Sequence, residues 1–109
     1  MKKRRALLIG VPDYESEAID NLTVVRHDLE NLHSALEQSG YSVRSLGTEG
    51  ILQTGRSKIL QALRQECRRS KGVDTLLFYF SGHGIHYRGQ DYLIPSDAVL
   101  EDADFIEDY

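Results

Sequence analysis

The sequence has few of the residues that support disulfide-rich, zinc-binding or membrane-spanning folds. It contains one cysteine among 109 residues, which excludes an internal disulfide framework and any zinc site built from several cysteines. Its apolar runs are short, whereas a helix that spans a membrane needs about 20 consecutive apolar residues. The apolar stretch at residues 6–11, which follows a basic start, is also shorter than the core of a signal peptide. These absences predict a cytoplasmic protein that does not enter a membrane.

No strong excess of either charge is present. Thirteen Lys and Arg against 17 Asp and Glu give a net charge of −4, which is too small to predict nucleic acid or a membrane surface as the main partner. The charges are nevertheless uneven, because residues 2–5 are all basic and residues 97–109 contain six acidic residues and no Lys or Arg. Blocks of one charge are usually solvated flanks. We therefore expect one small domain over residues 1–109, with residues 97–109 as an acidic terminal segment.

Hydrophobic periodicity predicts strands and helices in alternation. Strands are expected at residues 6–11, 41–46 and 73–80, and helices at residues 22–39 and 54–70. A short hairpin is expected to follow them. Strands joined by helices predict a parallel sheet that is covered by helices, and such sheets bind ligands at the carboxyl ends of their strands. The loops that follow the first and third strands are therefore the places where we expect function.

A histidine between glycines follows the third predicted strand directly, in the segment SGHG at residues 81–84. The glycines leave room for the backbone of a substrate to approach His83. The N–H of Gly84 is also suited to bind a developing oxyanion, which acyl transfer requires. A tight turn that happens to contain a histidine explains the same residues, so spacing alone leaves both interpretations open.

The other candidate groups carry weaker signals. Cys67 shares a predicted helical face with Ile59 and Leu63 and is expected to be a small buried apolar residue rather than a nucleophile. His83 and His86 have no third His or Cys at a spacing typical of zinc sites. The acidic segment lacks the spacing and central glycine of an EF-hand loop, which leaves calcium as a weakly supported ligand and predicts no other cofactor. Nucleotide binding is not predicted, because no G-x-G-x-x-G motif is present.

Several segments stand in an order that is familiar from one enzyme family. Residues 78–84 have the sequence FYFSGHG, and residues 92–97 have the sequence YLIPSD. Together with residues 5–11, Asp28 and residues 40–43, they resemble the N-terminal half of a caspase-like cysteine peptidase. The nearest type is that of the bacterial caspase-like and metacaspase proteins. The resemblance covers nearly the whole chain and implies an α/β three-layer sandwich with a mostly parallel sheet.

The resemblance assigns chemistry to the SGHG segment. It implies that His83 is a general acid/base beside a cysteine thiolate, that Gly84 donates to the oxyanion, and that the substrate is a protein or peptide. In caspases the nucleophilic cysteine lies about 50 residues after the histidine, which is beyond Tyr109, and Cys67 precedes His83 instead. The resemblance therefore implies a complementing segment or subunit that carries the cysteine, and a chain that is inactive without it.

The loop before the first helix bears on substrate preference. Residues 13–25 contain four acidic residues but no Lys or Arg. Caspases hold a substrate aspartate with an arginine from this stretch, so the acidic composition predicts a substrate Arg or Lys instead. The similarity to metacaspases places a substrate-binding aspartate at Asp28. A carboxylate in the first turn of a helix, where it interacts favourably with the helix dipole, is an alternative explanation of Asp28.

Two other functions account for parts of the sequence. A non-catalytic caspase-like domain would bind a partner through the open edge of an incomplete sheet. A metal-dependent hydrolase would use His83, His86 and the acidic segment. A complementing cysteine segment favours the peptidase, whereas chelator-sensitive activity that survives thiol alkylation favours the hydrolase.

Overall fold

The computed structural model describes residues 3–99 and the backbone of residues 106–108. Within these ranges the first three strands alternate with two helices, as the sequence predicts. A 3-10 turn at Ile51–Thr54 precedes the second helix. The strands and helices, in chain order, are β1 (Arg4–Gly10), α1 (Val24–Gln38), β2 (Tyr41–Leu46), α2 (Arg56–Arg69), β3 (Thr75–Ser81), β4 (His83–Tyr87), β5 (Gln90–Leu93) and β6 (Ile106–Asp108).

The first three strands form a parallel sheet in the order β2-β1-β3. Near its centre, Leu8 of β1 lies opposite Ser45 of β2 and Tyr79 of β3. The connections through α1 and α2 are the long crossovers that parallel neighbours require. The predicted α/β class with a mostly parallel sheet is therefore confirmed.

β1 is the buried centre of the fold. Ala6, Leu7 and Leu8 are fully buried, and their side chains alternate between the two faces of the sheet. Leu7 belongs to a core that contains Ala62 of α2, whereas Leu8 belongs to a core that contains Leu29 of α1. The two helices thus cover opposite faces of the sheet and form the outer layers of a three-layer sandwich.

Gly10 ends β1 at a point where α1 lies very close to the sheet. A Cβ at this position would lie 2.9 Å from Val25 Cγ1 and 3.0 Å from Leu29 Cδ2. The absence of a side chain therefore allows the first half of α1 to pack directly on the carboxyl end of β1. This packing holds the loop between β1 and α1 at the carboxyl edge of the sheet.

The hairpin predicted after β3 is present and is longer than expected. β4 and β5 pair antiparallel and are joined by Arg88 and Gly89, whose φ angles are 50° and 78°. Positive φ at both central residues is typical of the two-residue type I′ turn. Because β4 begins at His83, the loop expected at residues 81–84 is reduced to Gly82.

Part of the acidic terminal segment adds a third strand to this small sheet. β6 pairs antiparallel with β4 and places residue 107 opposite Gly84. The charge composition of residues 97–109 indicated only a solvated flank, so this pairing was not expected. Asp97 of the same segment accepts a hydrogen bond from the Arg56 N–H at 3.0 Å, whereas Glu101, Asp102 and Asp104 lie outside the described residues.

The buried position on α2 that was expected for Cys67 is occupied by Glu66. Cys67 is exposed, whereas Ala62 and Glu66 are buried. On a helix with 3.6 residues per turn, the inward-facing set is Ile59, Ala62, Leu63 and Glu66, and Cys67 falls about 90° from the centre of that face. The prediction of a buried Cys67 was wrong because it assigned the inward position by apolarity alone.

Truncation of the β1 core is expected to destabilise the fold strongly. Leu8→Ala should lower the free energy of unfolding by about 2–5 kcal/mol, because it removes buried methyl groups and leaves a cavity beneath α1. Leu52→Ala is the matched control, since Leu52 is 77% exposed, and it should cost less than about 0.5 kcal/mol. The free energy of unfolding of both variants is measured by chemical denaturation, with circular dichroism as the signal. Equal losses would contradict the assignment of β1 as the core.

Candidate active site

His83 lies where β3 passes into β4, at the carboxyl edge of the parallel sheet. It is only 6% exposed. The end of β1 lies beside it, because Gly10 is the register partner of Ser81 and the Val11 N–H donates to the Ser81 carbonyl at 2.9 Å. The two loops in which the sequence predicted function therefore meet at this histidine.

Close packing around His83 requires the glycine that precedes it. A Cβ at Gly82 would lie 2.9 Å from the Tyr14 hydroxyl oxygen and 3.1 Å from the Phe80 ring. Real Cβ atoms do not approach other groups so closely, so a larger residue would displace the groups around His83. Gly82 thus has a packing role that the sequence did not indicate, in addition to the substrate access inferred from it.

The imidazole of His83 is oriented by the loop between β1 and α1. Its Nε2 lies 2.8 Å from the backbone carbonyl oxygen of Asp20. A carbonyl oxygen only accepts hydrogen bonds, so this contact assigns a proton to Nε2. In the neutral ring the basic lone pair is then on Nδ1. Nδ1 is therefore the nitrogen whose lone pair can accept a proton, and the described residues bury this atom.

Tyr14 supports His83 from the same loop and was not singled out in the sequence. Its hydroxyl oxygen accepts a hydrogen bond from the His83 backbone N–H at 2.7 Å. The two rings lie with centroids 5.1 Å apart at an angle of 48°, and Tyr14 is buried. The only signal available for Tyr14 was its place in the loop that leaves the carboxyl end of a predicted strand.

Hydrogen bonds within the loop and to a neighbouring segment hold the residues that carry Tyr14 and Asp20. The side-chain oxygen of Asn21 accepts from the Tyr14 N–H at 3.0 Å. The Glu15 N–H donates to the carbonyl of Ser96 at 2.9 Å, which connects the loop to the segment that follows β5. These hydrogen bonds position the groups that contact His83.

Gly84 is buried in β4, the middle strand of the small sheet. The carbonyl of His83 accepts from the Ile94 N–H at 3.0 Å, so the backbone of His83 is directed towards β5. Along a strand, the N–H and C=O groups of one residue point towards one neighbouring strand, and those of the next residue point towards the strand on the other side. The N–H of Gly84 therefore points towards β6, where residue 107 lies opposite it. An oxyanion bound by this N–H would approach β4 from that side.

Asp28 is exposed on the second turn of α1. The helix begins at Val24, and its first turn contains no acidic residue. The interaction with the helix dipole that the sequence offered as an explanation of Asp28 is therefore not realised. In the loop before the helix, Asp13 pairs with Arg26 at 3.4 Å. Asp28 is accessible to a charged ligand.

The described residues do not gather into a metal centre. Nδ1 of His86 lies 2.6 Å from Oδ1 of Asp91 across the hairpin, and both side chains are more than half exposed. Within the described ranges, no group of three or more His, Cys, Asp or Glu residues could hold a metal ion. The metal-dependent alternative therefore gains no support from this part of the chain.

The placement of His83 at the carboxyl edge of a parallel sheet agrees with the resemblance noted in the sequence. A family model described as the caspase domain matches residues 3–108. The chain belongs to the caspase-domain peptidase family. No curated protein and no solved structure matches it. The metacaspase type and the cytoplasmic location stay predictions. In the described part of this caspase-domain chain, neither helix has the length and apolarity needed to cross a membrane.

The single cysteine of the caspase-domain chain lies at the opposite edge of the sheet from His83. Cys67 follows Glu66, whose carboxylate contacts Arg5 near the beginning of β1, whereas His83 lies beside the end of β1. Strand residues rise by about 3.3 Å each, so the distance from Arg5 to Gly10 along β1 is about 17 Å. Cys67 therefore cannot attack a substrate that His83 holds.

Removal of the Tyr14 hydroxyl is expected to destabilise the caspase-domain chain. Tyr14→Phe should cost about 1–3 kcal/mol, because it removes the acceptor of the buried His83 N–H. Tyr92→Phe is the matched control: its hydroxyl donates to Gln90 Oε1 at 2.8 Å on an exposed hairpin, and its loss should cost less than about 0.5 kcal/mol. Urea denaturation compares the two variants. A loss for Tyr14→Phe no larger than that for Tyr92→Phe would show that the hydroxyl does not support His83.

Proposed function

We propose that the chain is the histidine-bearing part of a caspase-like cysteine endopeptidase, and that its nucleophilic cysteine lies in a complementing segment or subunit. The observation that carries the proposal is the orientation of His83, whose Nε2 contacts the Asp20 carbonyl at 2.8 Å and whose Nδ1 is the basic nitrogen. Membership of the caspase-domain family supplies the reaction class. The position of Cys67 explains why a different cysteine is needed.

The proposed reaction begins when Nδ1 of His83 takes the proton from the thiol. The thiolate attacks the carbonyl carbon of the scissile peptide bond, and the N–H of Gly84 donates to the oxyanion that forms. His83 returns the proton to the leaving amine as the carbon–nitrogen bond breaks and a thioester remains. Water then gives a proton to His83 while its oxygen attacks the thioester carbon. The carbon–sulfur bond breaks, the carboxylic acid product leaves, and His83 returns the proton to the thiolate. The proposed roles require that substrate binding exposes the buried Nδ1 of His83 and separates β6 from the Gly84 N–H, because residue 107 lies opposite Gly84.

An open sheet edge supports a complementing segment. In the described part of the chain, β3 pairs with β1 alone, and Phe78 of β3 is 47% exposed. An apolar groove of about 420 Å³ lies beside this edge, and its lining includes Ile59, Leu63 and Phe80. A further strand at this edge would pair with the free backbone groups and cover the apolar side chains. A non-catalytic domain that binds a partner through the same edge is the competing interpretation.

We propose in addition that the peptidase cleaves after Arg or Lys, with Asp28 as a substrate-binding residue. Asp28 is exposed on α1, the helix that follows the loop holding His83. Residues 13–25 contribute four carboxylates and no cation. A substrate guanidinium or ammonium group would form charge-assisted hydrogen bonds with a carboxylate here.

Loss of the His83 imidazole is expected to remove peptidase activity from the complete protein. The complete protein is obtained from its native cells, and intact-mass analysis identifies the chain or segment that carries the cysteine. His83→Ala should lower kcat/KM by about 10²–10⁴-fold, because the general acid/base is lost. His86→Ala is the control, since His86 lies on the exposed hairpin, and it should retain activity.

Two results decide between the proposed peptidase and its competitor. If the complete protein contains the complementing cysteine and its His83→Ala and His86→Ala variants are equally active, the catalytic role of His83 is contradicted. A native protein without any cysteine-bearing complement would support the non-catalytic binding domain.

Neutralisation of Asp28 is expected to weaken the preference for basic substrates. Asp28→Asn should lower kcat/KM for substrates with Arg or Lys before the cleaved bond by about 10–100-fold, because a charge-assisted hydrogen bond is lost. Glu30→Gln, at another exposed position of α1, is the matched control and should have little effect. Preferential cleavage after Asp by the unaltered protein would contradict the proposed pocket.

A further inference from the structure

A basic groove lies at the amino ends of the parallel strands, on the edge of the sheet opposite to His83. It has a volume of about 350 Å³ and lies between the start of β1 and the end of α2. Arg4 and Arg5, which the sequence placed in a solvated flank, are half-buried residues of β1. The cations that line the basic groove are Lys3, Arg4, Arg5, Arg69 and Lys71.

Glu66 holds two of these cations in place. Its carboxylate is fully buried and accepts from Arg5 Nε at 3.1 Å and from Arg5 Nη2 at 3.2 Å. Arg69 lies 3.5 Å and Arg44 lies 3.6 Å from the same carboxylate. One negative charge therefore faces three guanidinium groups. Two of them, Arg5 and Arg69, line the basic groove, so this pair keeps a surplus of one positive charge there. The surplus is fixed before a ligand arrives, so binding needs little further ordering of these side chains.

Lys3 and Lys71 add positive charge that the fold does not neutralise. In the described part of the chain, neither ammonium group has an ion-pair partner. The hydrogen bonds between Lys3 and Asp74 use the backbone of Lys3: its N–H donates to Asp74 Oδ2 at 2.8 Å, and its carbonyl accepts from the Asp74 N–H at 2.8 Å. Basic residues in the last turn of a helix interact favourably with its dipole, which explains Arg69 at the end of α2. That effect does not explain the two lysines, which lie outside the helix.

We propose that the basic groove binds a compact anion that carries phosphate groups. The distribution of charge argues against an extended ligand. The chain has a net charge of −4, and five of its positive charges line the groove, so the rest of the chain carries a net charge of −9. A long polyanion, such as a nucleic acid or an acidic protein segment, would extend beyond the groove and meet this negative charge. A compact anion stays within the groove and avoids it.

Phosphate matches the groove better than carboxylate does. A phosphate group carries about 1.5–2 negative charges at neutral pH, whereas a carboxylate carries one, so phosphate neutralises the positive charge that Glu66 leaves in the groove with fewer atoms. Arginine also binds pairs of phosphate oxygens with its planar guanidinium group. Because the basic groove and His83 lie at opposite edges of the sheet, this proposal does not depend on the peptidase function.

Calorimetric titration of the protein with inorganic tripolyphosphate tests the proposal. We expect binding at one site, together with a rise in Tm that sodium chloride at equal ionic strength does not produce. The double variant Lys3→Glu with Lys71→Glu should bind at least about tenfold more weakly. Lys3→Gln with Lys71→Gln should show a smaller loss in the same direction, which keeps the test valid if charge reversal disturbs the fold.

The matched control changes charge by the same amount at the other end of α2. Arg56→Glu with Lys58→Glu alters two exposed residues of its first turn and should weaken binding by less than about twofold, because salt screens charges that are a helix length away. Equal weakening in the control, no binding of tripolyphosphate, or an equal Tm shift with sodium chloride would overturn the site. Equally tight binding of citrate would overturn the preference for phosphate.

Discussion

The rest of the structure depends on the burial of β1, which is paired along both edges and covered on both faces. Leu7 and Leu8 direct neighbouring side chains into two different cores, so one strand sets the position of both helices. Parallel pairing then brings the ends of β1 and β3 to the same edge of the sheet. At that edge the Tyr14 hydroxyl and the Asp20 carbonyl reach His83. The orientation of the imidazole is thus a consequence of packing at the centre of the sheet.

Sequence patterns predicted the structure correctly where it depends on residues that are close together in the chain. Apolar runs and helical periodicity predicted the parallel sheet, and the glycines around His83 marked the candidate catalytic position. The failures involve contacts between distant residues. Glu66 is buried in place of Cys67 because Arg5, 61 positions earlier, pairs with its carboxylate. Tyr14 contacts His83 across 69 positions, and no local pattern around Tyr14 indicates that contact.

Three features of the molecule are suited to binding groups from outside the described chain: the free edge of β3, the apolar groove and the basic groove. One ligand does not explain all three. The free edge of β3 and the apolar groove beside Phe78 lie together, so a single complementing strand accounts for both. The surplus positive charge around Glu66 lies at the amino edge of the sheet, in a groove lined mainly by charged and polar residues. An additional strand at β3 does not neutralise it, which is why we assign a separate anionic ligand to the basic groove.

The loop between β1 and α1 leaves Nδ1 of His83 as the basic nitrogen. Long-range ¹H–¹⁵N correlation NMR of the histidine-labelled protein, at a pH where the ring is neutral, locates the ring proton. We expect signals that place this proton on Nε2, where the Asp20 carbonyl accepts it. Signals that place the proton on Nδ1 would show that this carbonyl does not orient the ring, and would contradict the proposed role of His83 as the base.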